Sequence, residues 1–134
     1  MVILRTLLII LVTFSLNSCY LSSELPLDQT TLLTKKLWTF DSLIGYDDFG
    51  IQLGLALNEK MTYSFSENGH CTIVSLGVSR DNTWEFNKDE STIQFNNGTA
   101  DQQEWNIISL DETELVVSFE DVDALNGIVI WNFK

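Results

Sequence analysis

The residues of this chain that could do chemistry are few, and their spacing is poor for catalysis. His70 is the only histidine, and it adjoins Cys71. Neighbours in an extended strand point to opposite faces, so the two cannot grip one metal ion or act as a thiolate–imidazole pair. The spacing assigns His70 to the exposed end of a hairpin and Cys71 to an interior. The densest acids are Asp47-Asp48 and Glu120-Asp121-Val122-Asp123. Loop carboxylates can hold Ca²⁺, but neither group has the twelve-residue spacing with a central glycine and a terminal glutamate. No glycine-rich phosphate loop, nucleophile elbow or paired-carboxylate motif is present. Isolated acids such as Glu85 and Glu104 fall on the wet faces of strands. The expectation is a protein that is not an enzyme and uses no metal or cofactor.

The second cysteine, Cys19, has a different setting. Arg5 precedes an apolar run, Thr6 to Leu16, that has the length of a signal-peptide core. It is well short of the roughly 20 apolar residues that span a bilayer. The run closes in Leu16-Asn17-Ser18-Cys19, which resembles the lipobox of bacterial lipoproteins: a branched apolar residue, a small residue, then cysteine. Asn17 departs from the small or β-branched residue usual at its position. The resemblance implies cleavage before Cys19, a diacylglyceryl thioether on its sulfur, and acylation of the new amino terminus by a chain such as palmitate. Two or more acyl chains anchor firmly where one is marginal. Tyr20, not Asp, follows the cysteine, so nothing resembles an inner-membrane retention signal. The expected address is the cell envelope, anchored to the outer membrane on its periplasmic or cell-surface face.

Three segments follow from this: a signal peptide at 1–18, a lipid-anchored tether at 19–30 holding the only proline, Pro26, and one domain at 31–134. That length suffices for a single core. The formal charge is −12, and removing Arg5 with the signal makes it about −13. Phosphate would be repelled, which disfavours nucleic acid as a partner. The acids are spread from Asp28 to Asp123 without a long block, as on a solvated surface, and they would also attract a cationic protein. With Cys19 lipidated, Cys71 stands alone and there is no disulfide framework.

Asp28 is an N-cap candidate for one or two helical turns through Lys36, with Leu32 and Leu33 as their apolar residues. Beyond it come short runs rich in aromatic and β-branched residues: 37–44, 61–66, 71–78, 83–87, 92–95, 104–110, 114–119 and 128–133. Turn signals stand between them, among them Glu67-Asn68-Gly69, Arg80-Asp81-Asn82 and Asn96-Asn97-Gly98. Such spacing marks an antiparallel meander, because parallel strands need long crossovers. Alternation is clean: Met61, Tyr63 and Phe65 oppose Thr62, Ser64 and Ser66, and Trp84 and Phe86 oppose Glu85. Ile51, Leu53, Leu55 and Leu57 also alternate, over a stretch containing Gly54, as a ninth extended segment or as a lid. One dry face on about eight strands predicts an all-β fold, an up-and-down meander closing into a small barrel or folding into a two-sheet sandwich.

From Leu32 onward the chain resembles the small lipocalin-like domains of bacterial lipoproteins, of the kind common in Bacteroidetes. The pieces that carry the likeness are Leu32-Leu33-Thr34-Lys35-Lys36-Leu37-Trp38, Met61 to Gly69, Thr83-Trp84-Glu85-Phe86 with Ser91 to Phe95, and Trp105 to Leu115. The resemblance selects the barrel over the sandwich. Two positions depart from lipocalins proper. Lys36 stands where they have a glycine two residues before the strand-one tryptophan. The arginine that packs over that tryptophan has no counterpart, Lys134 being the nearest basic residue at the end.

Eight strands enclose a space that side chains can fill or that can hold one small ligand. Trp38, Trp84, Trp105, Trp131 and the eight phenylalanines serve as core or as pocket lining. The expected function is the non-catalytic binding of a small apolar molecule at the open end bordered by residues 45–58. Phe49, Ile51, Leu53, Leu55 and Leu57 are its candidate contacts. The alternative is an acidic interaction module for a cationic partner protein.

Overall fold

Among the described residues nine antiparallel strands run in the order β2-β1-β3-β4-β5-β6-β7-β8-β9, and a further β1–β9 pairing closes eight of them into a barrel. The computed structural model describes residues 27–53, 60–121 and 127–134. Helix α1 spans Gln29–Thr34. The strands are β1 Leu37–Tyr46, β2 Gln52–Leu53, β3 Met61–Phe65, β4 His70–Ser75, β5 Val78–Phe86, β6 Thr92–Phe95, β7 Gln103–Leu110, β8 Leu115–Asp121 and β9 Gly127–Phe133. The expected all-β meander and its closure are present, and β2 is the described part of the expected ninth segment.

Alternation decides what goes inside. Trp38, Phe40, Tyr63, Phe65, Cys71, Trp84, Ile93, Phe95, Trp105, Leu115, Val117 and Phe133 are buried in one cluster, each on the inward face of its strand. Aromatic edges meet faces through it, with Phe95 at 4.6 Å and Tyr63 at 5.0 Å from the Trp105 ring. His70 is exposed and Cys71 fully buried, as their adjacency requires.

One end is sealed. Asp28 caps α1 by accepting from Thr31 N at 2.8 Å, and Leu33 lies fully buried. Six residues are too few for a helix that stands alone, so packing must hold this one. Trp38 supplies the bond: its Nε1 donates to the Leu33 carbonyl at 2.8 Å in a buried setting. Lys36 lies over the Trp38 ring, 4.3 Å from the centroid, and its Nζ donates to the Thr113 carbonyl at 3.0 Å. A cation therefore does lie over the tryptophan, and it comes from Lys36, the residue in the glycine position. Lys134 instead pairs with Asp41 at 2.9 Å. A long side chain two residues before the tryptophan reaches the ring face that the C-terminal residue does not.

One expected turn is displaced. Arg80-Asp81-Asn82 lies within β5, and the β4–β5 turn is Leu76-Gly77, with φ of 51° and 77°. Positive φ at both central residues is what a two-residue hairpin between twisted strands demands. Ser75 and Val78 then pair directly, and the ladder runs on to His70 against Thr83. Several turn acids have structural duties. Asp47 accepts from the backbone of Phe49 and Ile51, Asp89 from Ser91, and Asp111 from Thr113 and Glu114. These hydrogen bonds hold the Asp89 and Asp111 carboxyls below the usual carboxylate range.

Replacing Trp38 by phenylalanine keeps a buried ring and strips the Leu33 carbonyl of its donor. The expected loss is about 1–3 kcal/mol, to be read from the chemical-denaturation midpoint. An unchanged midpoint would mean that the helix is held by other contacts.

Candidate functional site

The end opposite α1 is open. It is framed by the Leu76-Gly77 turn, the loop from Asn96 to Gln102, and the turn from Asp47 to Ile51. Here the inward series change character. On β4 it ends Cys71, Ile73, Ser75; on β5 it begins Val78, Arg80, Asn82; on β7 it begins with Gln103. Shorter and polar side chains leave a cavity of about 920 Å³. Tyr63, Phe95, Trp105 and Trp131 form its aromatic floor, Met61, Ile73, Leu76 and Val78 its apolar wall, and Ser75, Arg80, Asp81, Asn82, Asn96, Asp101 and Gln103 its polar side. A second space of about 440 Å³ shares Tyr63, Gln103, Trp105 and Trp131 with it and extends toward Phe119, Glu120 and Asp121. The larger volume lies in the range of small-molecule sites.

Local hydrogen bonds fix the polar side. Asn96, at φ 49°, donates from Nδ2 to Asn82 Oδ1 at 2.8 Å and accepts from Thr83 N at 3.1 Å. Asp81 alternates to the outer face, where Thr72 Oγ1 donates to it at 2.9 Å. The Tyr63 hydroxyl donates weakly to the Met61 sulfur, 3.7 Å away. Burial, with the nearby Cys71 sulfur, pushes the Tyr63 phenol above its ordinary value, so it remains neutral. Burial, with Asp81 nearby, pushes the Cys71 thiol up to about 12. Cys71 is a protonated core residue, not a nucleophile.

The cavity lies on the flank built by β3 to β7, and its lining includes none of the expected Phe49, Ile51 and Leu53. Of the expected contacts, Phe49 is 83 % exposed and Ile51 60 % exposed, both in the turn before β2. Leu53 is half-buried on β2 opposite Gly45. Leu55, Leu57 and the lipidation candidate Cys19 lie outside the described residues. The polar lining residues Arg80, Asn82 and Gln103 were missed because Arg80-Asp81-Asn82 looks like a turn. The signal that finds them is the alternation of Trp84 and Phe86, which extends backwards without a break through Asn82, Arg80 and Val78. Among the described residues no cluster of His, Cys, Asp or Glu could hold a metal ion.

Residues 29–117 match the family model described as a lipocalin-like domain. Neither the curated proteins nor the solved structures give a significant match.

Between neutral pH and about pH 9, the ordinary value of the thiol, stability should change little, and it should fall above that while folded Cys71 keeps its proton to about 12. The sign follows from proton binding: in that window the unfolded state holds fewer protons. Denaturation midpoints at pH 7, 9 and 10 should show the decline starting near 9 in the wild type. In Cys71→Ala the onset should move to higher pH, where tyrosine ionises.

Proposed function

The chain belongs to the lipocalin-like domain family, and on that premise we propose that it is a lipid-anchored envelope protein that binds one small, largely apolar molecule. The family is generally a non-catalytic binding fold, and the reading is of a carrier or sensor without catalysis. The observation that supports it is the cavity of about 920 Å³ over the floor of Tyr63, Phe95, Trp105 and Trp131. A barrel with no ligand role would gain stability by filling that space with larger side chains. Ser75, Asn82 and Gln103 leave it open instead.

The lipid anchor fits the same picture. The first described residue, Leu27, adjoins α1 at the sealed end. An anchor on Cys19 would therefore join the domain at that end and leave the mouth on the side away from its attachment. The anchor and the mouth do not compete for one surface. The acidic-module alternative has less behind it, because the acids are spread over separate turns, strands and the helix cap, as Asp28, Asp47, Asp89 and Asp111 are, and form no single dense patch in the sequence.

Metabolic labelling with a radioactive fatty acid should mark the wild type and leave Cys19→Ala unlabelled. Label persisting in that variant would overturn the anchor. For the cavity, the neutral dye N-phenyl-1-naphthylamine should brighten on binding the Cys19→Ala chain. Ile73→Trp, which adds bulk to the cavity wall, should weaken that binding about tenfold or more with little change in the unfolding midpoint. Equal binding by both would place the dye elsewhere.

A further inference from the structure

The inward face of β5 carries a charge that the fold does not use. Arg80 pairs with Ile73 across the β4–β5 ladder and shares its face with Val78, Asn82 and the buried Trp84. Both Arg80 and Ile73 line the cavity. Among the described residues the ion pairs are Lys35–Glu112 and Lys134–Asp41, and Lys36 lies over Trp38. The Arg80 guanidinium has no such partner. Asp81 and Asp101 also border the cavity, but Thr72 Oγ1 donates to Asp81 and neither carboxylate forms an ion pair with Arg80.

Arg80 is exposed, so its guanidinium stays hydrated at the mouth and is free to meet an anion that enters the cavity. Guanidinium presents a rigid fork of donors that fits two oxygens of a carboxylate or phosphate, which an ammonium cannot match. Acids away from the mouth act weakly here, because exposed charges are screened beyond about 8–10 Å at moderate salt, so the contest over the sign of the mouth is between Arg80 and the bordering Asp81 and Asp101. We propose that the cavity takes a single-chain amphiphile with an anionic head, held by Arg80 at the mouth while its tail lies against Tyr63, Trp105 and Trp131. This rests on the carrier reading and adds the class of ligand to it.

The test uses the full chain carrying Cys19→Ala, which removes attached acyl chains as competitors. Dodecanoate, dodecyl phosphate, dodecanol and dodecylamine share one tail and differ in head, and each is titrated directly by calorimetry and by displacement of the neutral dye. Either anion should bind about tenfold or more tightly than the alcohol, the amine should be weakest, and the better anion identifies the head group. The readout in Arg80→Gln is the ratio of anion to alcohol affinity, which should fall to near one, with Arg80→Lys intermediate. Circular dichroism checks that each variant folds. If the dye and the alcohol bind but the anions gain nothing, or the ratio survives Arg80→Gln, the anion assignment is wrong and the carrier reading stands. If the amine binds best, the acids of the rim select the ligand and the assignment is again wrong. If no compound binds, the carrier reading itself falls.

Discussion

Trp38 is the side chain on which the architecture turns. It is fully buried, donates to the Leu33 carbonyl, and carries the Lys36 ammonium on its face. Those contacts tie a helix too short to persist alone to the first strand. The Lys36 ammonium, bound in turn to the Thr113 carbonyl, ties that strand to the β7–β8 turn across the barrel. Lys35 reaches the same turn through Glu112 at 2.7 Å. That ion pair is exposed and adds little alone, whereas the buried indole bond has no water to replace it. With this end sealed, any opening has to be at the other.

The barrel is graded along its axis. Near α1 the inward positions are Leu33, Trp38, Leu115, Val117 and Phe133, all fully buried. Midway the rings of Tyr63, Trp105 and Trp131 meet at 5.0–6.5 Å. At the mouth the inward positions are Ser75, Arg80, Asn82 and Gln103. A closed eight-stranded sheet has a nearly fixed width, so a change in side-chain size along the strands becomes a change in void. The gradient is what converts a packed core into a site without any change of fold.

The sequence displayed the strands and their faces through strict alternation of aromatic and polar residues, while the choice of a closed barrel over a sandwich came from the family resemblance. His70 and Cys71 were legible through the same alternation. The mouth was not. A run of Arg, Asp and Asn satisfies the rule for turns and equally the rule for a strand that is polar on both faces, and local composition cannot choose between them. The cross-strand bond from Thr72 to Asp81 and the pairing of Arg80 with Ile73 decide it, and both are long-range facts. The cation on Trp38 escaped notice because it comes from the position expected to hold glycine.

The β4–β5 turn is where these strands of argument meet. Leu76 adopts φ 51° and stands 76 % exposed. A left-handed conformation costs a leucine about 1–2 kcal/mol, and asparagine is the common choice at that position. The two-residue turn nonetheless fixes the register of β5, and a shift of one residue would send Arg80, Asn82 and Trp84 to the outer face together. Burial of Trp84, whose Nε1 donates to the Ser66 carbonyl at 3.0 Å, holds that register from the far end of the strand. Arg80 faces the cavity because a tryptophan four residues on must face the core. An apolar residue at the strained tip then extends the apolar wall up to the rim, where asparagine would relieve the strain and end that surface short of it.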